Sequence, residues 1–317
     1  MFCIKSVKTI NDRFYALGTT IEGGFRADQV LAEKLCEKIR LRIAEFENHF
    51  SRFLPTSELS YLNANPNREI TVSPQMIEIM LAARKIWSLT DGLVDPTIGQ
   101  SLIAAGYDVS FELLNNSDGQ PAPARVVRRT LRDVNIDEKL NTVKIPEGTT
   151  LDFGGIGKGY ILDQLINYIE PLTQDYWLSL GGDLVVSGRD GTNQHWPIGV
   201  QNPQALDQDI AELKLPSDRW AVATSGITHR RGVKAGVNWH HLINPRTGQP
   251  AMNDVLSVTV VAKSALLADA FAKTILFQGS KDGIEWANRQ KDLEALVITD
   301  TQEFVFSDNM KKYLKFL

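Results

Sequence analysis

Asp269 and Lys273 stand four residues apart in LLADAFAKTILFQG, the run from Leu266 to Gly279. The run is apolar at helical spacing, with Ser264 as its expected N-cap and Gly279 as its terminator. At about 100° per residue, Lys273 lies roughly 40° around the helix from Asp269, while a fifth-residue step carries Thr274 to roughly 140°. The acid and the base therefore share a face. Three kinds of chemistry suit such a pair: an exposed ion pair worth about 0.2–0.5 kcal/mol, an acid that ligates a metal with a neighbour, or a pair that handles phosphate. Of the five neighbours Ala268, Ala270, Phe271, Ala272 and Thr274, only the last is polar, which fits poorly with full exposure.

A second constellation is DFGGIGKGYILD, Asp152 to Asp163, where an extended segment breaks into glycines and a helix begins at Lys158. Glycines let a backbone approach a ligand closely, and helix N-terminal amides attract phosphate. The spacing is not that of a Walker loop, since Asp152 occupies the place of the first glycine and no Ser or Thr follows Lys158. Nor is it a dinucleotide fingerprint, because Tyr160 stands where the third glycine belongs. A tight strand-to-helix turn would produce the same residues without any ligand. In WHHLINPRTGQP, His240 and His241 point to opposite faces of an extended segment, so at most one faces a given site, where histidine suits acid–base work; a hydrogen-bonded structural histidine is the alternative that the sequence by itself favours. WSLTDGLVDPTIG holds Asp91, which reads as helix termination, and Asp95, which turn chemistry before a proline also explains. In SLGGDLVVSG, Gly181 and Gly182 make room for a flat ligand or form a bulge.

These groups need elements to hold them. Alternation over 4–22 predicts a strand entering a turn. The spacing in ADQVLAEKLCEKIRLRIAEFENHFSRF predicts a long amphipathic helix, and Ser57 caps a short helical turn after it. SPQMIEIMLAARKIWSLTDG predicts a helix from Ser73 and Pro74 to Gly92. LVDPTIGQSLIAAGYD reads as irregular, and PAPARVVRRTLRDVNID as a proline-rich connection. A strand, a turn and a second strand are expected before the glycines of 154–157, and a helix after them. WLSLGGDLVVSG reads as a strand pair, LSVTVVAKS as a strand feeding the Asp269 helix, and LEALVITDTQEFVFSD as a hairpin. Strands and helices mix without regular βαβ alternation, so the expected class is α+β, in a single domain over 1–317.

The 317 residues are 43% hydrophobic and 23% charged, an ordinary globular balance with a full core. A net charge of −4 argues against nucleic acid as partner, since a phosphate-tracking surface needs a basic excess. Cys3 and Cys36 have no metal-spaced partners and read as free thiols. There is no signal-peptide-like apolar run, no lipoprotein-like run before Cys3 and no membrane-span-length segment, so the expected compartment is the cytoplasm.

Taken in order, ALGTT, SRFLPTSELSYLN, DGLVDPTIG, DFGGIGKGYILD, SLGGDLVVSG, VATSG, WHHLINPRTGQP and LLADAFAKTILFQG resemble the ApbE family of FAD:protein FMN transferases. The resemblance covers the chain from about residue 10 to its end. It implies two interlocked α+β lobes with a flavin cleft between them, FAD as substrate, and an acceptor protein whose Ser or Thr becomes phosphoester-linked to FMN as AMP leaves. It implies Mg²⁺ held by an acid and a threonine four residues apart and by a main-chain carbonyl; here these positions are Asp269, residue 273 and Gly157. His241 is implied for proton transfer. Leu17, Phe53, Leu93, Val94, Asp95, Gly154 and Tyr160 match flavin- or adenine-contacting positions, and Lys158, Gly181, Gly182 and Leu242 complete the expected cofactor-binding set. Three positions depart from the family pattern: Lys273 replaces the threonine, Asn244 replaces an aspartate before proline, and Leu17 replaces a common methionine. The transfer is thus expected to be Mg²⁺-dependent or to use Lys273 in partial replacement of the metal. A flavin-binding protein without transfer activity, or an FAD pyrophosphatase yielding FMN and AMP, would use the same site.

Overall fold

The computed structural model describes residues 8–105, 107, 129–192, 194–228, 231–234 and 237–317. Cys3 and residues 121–128 of the proline-rich connection lie outside them. The chain opens with a hairpin, β1 (Lys8–Ala16) and β2 (Thr19–Ala27). The single expected strand is thus two, because Leu17 and Gly18 both take positive φ (54° and 63°) and reverse the chain in a two-residue turn. Leucine is strained there, and its N–H is held by Glu47 Oε1 at 2.8 Å. Glu47 belongs to α1 (Gln29–Phe50), the long amphipathic helix, capped by Asp28. Ser57 caps α2 (Glu58–Asn63) as expected. After β3 (Ile70–Thr71), α3 (Pro74–Leu89) starts on the Ser73 cap with Pro74 in its first turn. It stops where Asp91 and Gly92 turn left-handed and the Gly92 N–H reaches back to Trp87 O at 2.8 Å.

The stretch read as irregular contains one short helix, α4 (Gly99–Ala104). β4 (Asn135–Asp137) and β5 (Thr142–Lys144) join β3 in a small sheet. The second strand expected before the glycines is only a lone parallel bridge, Ile98 to Thr150, because that segment is held by loops and not by a sheet. Then follow α5 (Gly157–Ile169), the hairpin β6 (Tyr176–Leu180) and β7 (Asp183–Ser187), β8 (Ile198–Asn202), β9 (Ala205–Leu213) and β10 (Trp220–Gly226). Two small hairpins come next, β11 (Arg231–Lys234) with β12 (Val237–His240), and β13 (Ile243–Asn244) with β14 (Gln249–Pro250). The chain ends with β15 (Val255–Ala262), α6 (Ala265–Gln278), α7 (Ser280–Asn288), the expected hairpin β16 (Leu293–Thr299) and β17 (Phe304–Phe306), and β18 (Leu314–Phe316).

Eight strands form one sheet in the order β1-β2-β6-β7-β10-β15-β16-β17, and every adjacent pair is antiparallel. Alternate residues divide between two cores. Val185, Val258, Val260, Ala295 and Val297 join the larger core with the helices. Val186, Val261, Leu296 and Ile298 face the other way and pack with Ile198, Val200, Ala211 and Leu213 of the three-stranded sheet β18-β9-β8. Burial on both faces explains why β15 reads as a nearly unbroken apolar run. The fold is α+β, as expected. No helix among the described residues is long and apolar enough to cross a membrane.

Candidate functional site

The site begins where α5 crosses the start of α6. Gly159 permits the approach: a Cβ there would stand 2.5 Å from the Ala265 carbonyl oxygen and 2.7 Å from Leu266 Cα. Asp163, one turn further along α5, caps α6, accepting from Ser264 Oγ (2.6 Å), Ala265 N (2.8 Å) and Leu266 N (3.1 Å). The acidic cap favours the positive end of α6 and sets its rotation. Asp269 consequently turns toward α5, and its Oδ2 accepts from the Gly159 N–H at 3.2 Å. Its Oδ1 is ion-paired with Lys273. Asp269 is 1% exposed, so the pair is a buried one and not a surface ion pair.

A second pair stands beside the first. Lys158, in the first turn of α5, is paired with Asp183 at the start of β7, and Asp183 Oδ1 also accepts from the Thr224 N–H of β10 at 3.2 Å. Burial pushes the Asp183 carboxyl above the ordinary aspartate range, against the pull of the Lys158 ammonium; Asp269 adds repulsion and Lys273 attraction. The four side chains thus act as one electrostatic cluster of two carboxylates and two ammonium groups, in a medium where charges interact far more strongly than in water. Sequence reasoning did not single out Asp183, although it directly follows the Gly181-Gly182 pair; nothing in one sequence distinguishes it from an ordinary turn acid.

The glycine turn is braced from the segment 52–63. Asn63 grips Leu151 as a strand partner would, its Nδ2 donating to Leu151 O (2.9 Å) and its Oδ1 accepting from Leu151 N (2.8 Å). Arg52 is ion-paired with Asp152, whose Oδ1 accepts from the Gly154 N–H at 2.6 Å. On the other side the Asp152 N–H donates to Pro96 O at 2.8 Å. Replacing Asn63 by alanine leaves both Leu151 backbone groups unpaired and is expected to lower stability by about 1–3 kcal/mol, read as a shifted urea midpoint with an unchanged slope.

The remaining expected cofactor residues fall into groups. Gly181 and Gly182 (φ 63° and 94°) turn the β6–β7 hairpin, and the Gly181 N–H donates to Thr20 O at 2.9 Å, which sets that turn beside the Leu17 turn. Around Gly182 a Cβ would meet nothing within 4 Å. Phe53 lies 5.5 Å from the Tyr107 ring and 4.1 Å beneath the Arg52 guanidinium. Tyr160 is largely buried, and its hydroxyl donates to Glu78 of α3 at 3.5 Å; burial, reinforced by Glu78, pushes its pKa up to about 12. Leu93, Val94 and Leu242 are buried. Asp95 has its carboxylate filled by Trp87 Nε1, Leu131 N and both donors of Thr97, so it shapes its loop from within. A narrow pocket joins Val94 and Asp95 to Gly155, Ile156 and Lys273. Two wider cavities, of about 500 and 450 Å³, flank Arg246, which ties the Asn244–Gly248 turn to Asp91.

The adjacent histidines differ. His240 Nδ1 accepts from the Leu242 N–H at 3.3 Å, so its Nε2 carries the proton and donates to Ala251 O at 2.9 Å. That arrangement suits the neutral ring, and burial pushes its pKa below the ordinary 6.5. A base whose folded-state pKa is depressed binds more protons when unfolded. Its contribution to stability is complete above the unfolded pKa and falls as pH drops below it. Urea midpoints should therefore decline between about pH 7.5 and about pH 5.5, and His240→Gln should flatten part of that decline.

With this geometry in place, comparisons with known proteins add the family. The model of the ApbE family matches residues 17–297. The chain belongs to the ApbE family. Among curated relatives, an FAD:protein FMN transferase of Vibrio cholerae serotype O1 is 26% identical over 98% of this chain and 92% of its own length. One from Buchnera aphidicola is 27% identical over 96% and 90%. Among solved structures, an ApbE protein of Thermotoga maritima superposes with a TM-score of 0.86 at 28% identity, covering 96% of this chain and 99% of that one. The flavin transferase ApbE of Vibrio cholerae gives 0.81 at 25% identity, covering 97% and 100%.

The metal implied by the ApbE resemblance can be tested against the donors. A hard divalent ion takes several oxygen ligands. Both Asp269 oxygens are engaged, one by the Lys273 ammonium and one by the Gly159 N–H, and residue 273 offers a cation in place of an oxygen. Asp183 is taken by Lys158 and Thr224. No group of three or more His, Cys, Asp or Glu suited to a metal occurs among the described residues. This donor set does not fit Mg²⁺.

Proposed function

We propose that this chain moves FMN from FAD to a serine or threonine of an acceptor protein, forming a phosphoester and releasing AMP. It is a transferase of the ApbE family, and the family match is supported by one observation above the others. Around the start of α5, beside a glycine turn, the buried carboxylates of Asp183 and Asp269 hold the partly exposed ammonium groups of Lys158 and Lys273. Phosphoryl transfer is served mainly by positioning and by neutralising charge, and helix start and ammonium groups supply both.

In this reading the acceptor hydroxyl oxygen attacks the flavin-side phosphorus. The new O–P bond forms as the bond from that phosphorus to the bridging oxygen breaks, and the bridging oxygen leaves with AMP. His241 takes the hydroxyl proton; the assignment is supported by the engagement of both ring nitrogens of His240 with backbone groups. The flavin lies against Leu17, Phe53, the 93–95 loop and Gly182, and the diphosphate against Gly154–Lys158.

The test is incubation of the pure protein with FAD and acceptor domains bearing Ser or Thr. The expected result is an acceptor heavier by one FMN, fluorescent on a denaturing gel, with stoichiometric AMP. FMN and AMP without labelled acceptor would make the protein a pyrophosphatase. Bound FAD with no AMP would make it a flavin-binding protein, an outcome favoured by the closed Lys273–Asp269 pair.

A further inference from the structure

We propose that Lys273, held on Asp269 and assisted by Lys158 on Asp183, is the resident cation of this site, so that the chain binds its flavin diphosphate without a divalent metal. The inference rests on the functional reading above and specifies how that site meets phosphate charge.

Four observations carry it. First, the Lys273 ammonium lies against a carboxylate that is 1% exposed, where a metal ion would have to displace it. Such a displacement would strand an ammonium whose side chain is only 12% exposed. Second, the ammonium has donor capacity left. It has three N–H groups, of which two have partners among the described residues, Asp269 Oδ1 and the Asp269 carbonyl at 3.3 Å. The third is available for an incoming oxygen. Third, the side chain lines a narrow pocket together with Gly155 and Ile156 of the glycine turn; the two carboxylates of that pocket are already occupied, Asp152 by Arg52 and Asp95 by Trp87, Thr97 and Leu131, which leaves Lys273 as its cation. Fourth, the other carboxylate of the cluster, Asp183, has both oxygens engaged.

The electrostatics are consistent with this role. Two ammonium groups and two carboxylates balance formally, so the empty cluster tolerates burial. A diphosphate then adds negative charge near the positive end of α5, where the Gly159 N–H is already held by Asp269, so the two ammonium groups supply the neutralising charge. An ammonium is a compact point charge that binds phosphate oxygens without fixed coordination geometry. It therefore needs no octahedral set of oxygens, and this chain supplies none.

The experiment measures binding, independently of turnover. FAD and ADP are titrated calorimetrically into the protein in EDTA and again in excess Mg²⁺, and Mn²⁺ alone is titrated with detection of free Mn²⁺ by electron paramagnetic resonance. For the parent protein, nucleotide affinity is expected to change by less than about twofold between EDTA and Mg²⁺. No Mn²⁺ site tighter than roughly millimolar is expected. Lys273→Thr should lose about tenfold or more in EDTA, regain affinity with Mg²⁺, and acquire a Mn²⁺ site. Lys273→Met, checked for folding by circular dichroism, should lose affinity without metal rescue. Parent binding that collapses in EDTA and returns with Mg²⁺ overturns the inference alone, as does a folded Lys273→Met protein that binds like the parent. Absence of FAD and ADP binding under every condition overturns the functional reading, and this inference with it.

Discussion

Asp269→Ala is expected to lower stability by about 3–5 kcal/mol, the usual cost of removing one partner from a buried ion pair, and to abolish FMN transfer. Two neighbours are affected at once: the Lys273 ammonium, whose side chain is only 12% exposed, loses its counter-charge, and the Gly159 N–H loses its acceptor. The loss arises chiefly from the stranded positive charge, because the deleted carboxylate had itself been desolvated. Asp269→Asn keeps the shape and an acceptor for Gly159 but not the charge, so it should fall between parent and alanine in stability while still losing transfer. Urea denaturation and the covalent-flavin assay measure the two effects separately. An alanine variant within about 1 kcal/mol of the parent, with transfer intact, would remove Asp269 from the site altogether.

Gly159→Val is expected to be of comparable size by a different mechanism. The new Cβ would meet backbone, the Ala265 carbonyl and Leu266 Cα, and backbone cannot rotate aside as a side-chain tip can. Alanine alone should cost about 1–3 kcal/mol as overpacking, and valine more, since its two γ-methyl groups add to the same crevice. The damage should extend to the chemistry, because separating α5 from α6 moves Lys158 away from Asp183 and the Gly159 N–H away from Asp269. Thermal unfolding and FAD affinity should therefore fall together. Gly182→Ala is the contrasting case: it meets no atom within 4 Å, and only its positive φ opposes the change, at about 1–2 kcal/mol. If Gly159→Val melts and binds FAD as the parent does, the helix crossing does not position the cluster.

Much of the fold was legible because its signals are local. Ser57, Ser73 and Ser264 each cap a helix through bonds spanning three residues, and such bonds need no tertiary context. The β6–β7 hairpin is equally local, with two glycines at positive φ between alternating strands. Local patterns mislead where distant partners decide. The segment before Asp152 looks like a strand, but its neighbours are Asn63 and Pro96, so it becomes a braced loop. The β1–β2 turn was hidden because leucine at positive φ has no sequence signature, and Glu47, 30 residues away, secures it.

The sequence by itself determined the family, the glycine turn entering a helix, and the placing of Asp269 and Lys273 on one helical face, since helical periodicity and motif order are properties of the chain. It left that pair readable as a weak surface contact. Only the tertiary structure decided that the pair is buried, that Gly159 and Asp163 aim it at α5, and that Lys158 and Asp183 join it in one charged cluster. Burial, and the low dielectric that makes these charges matter to one another, depend on the α5–α6 crossing, where Gly159 and Asp269 stand 110 positions apart, which no local pattern encodes.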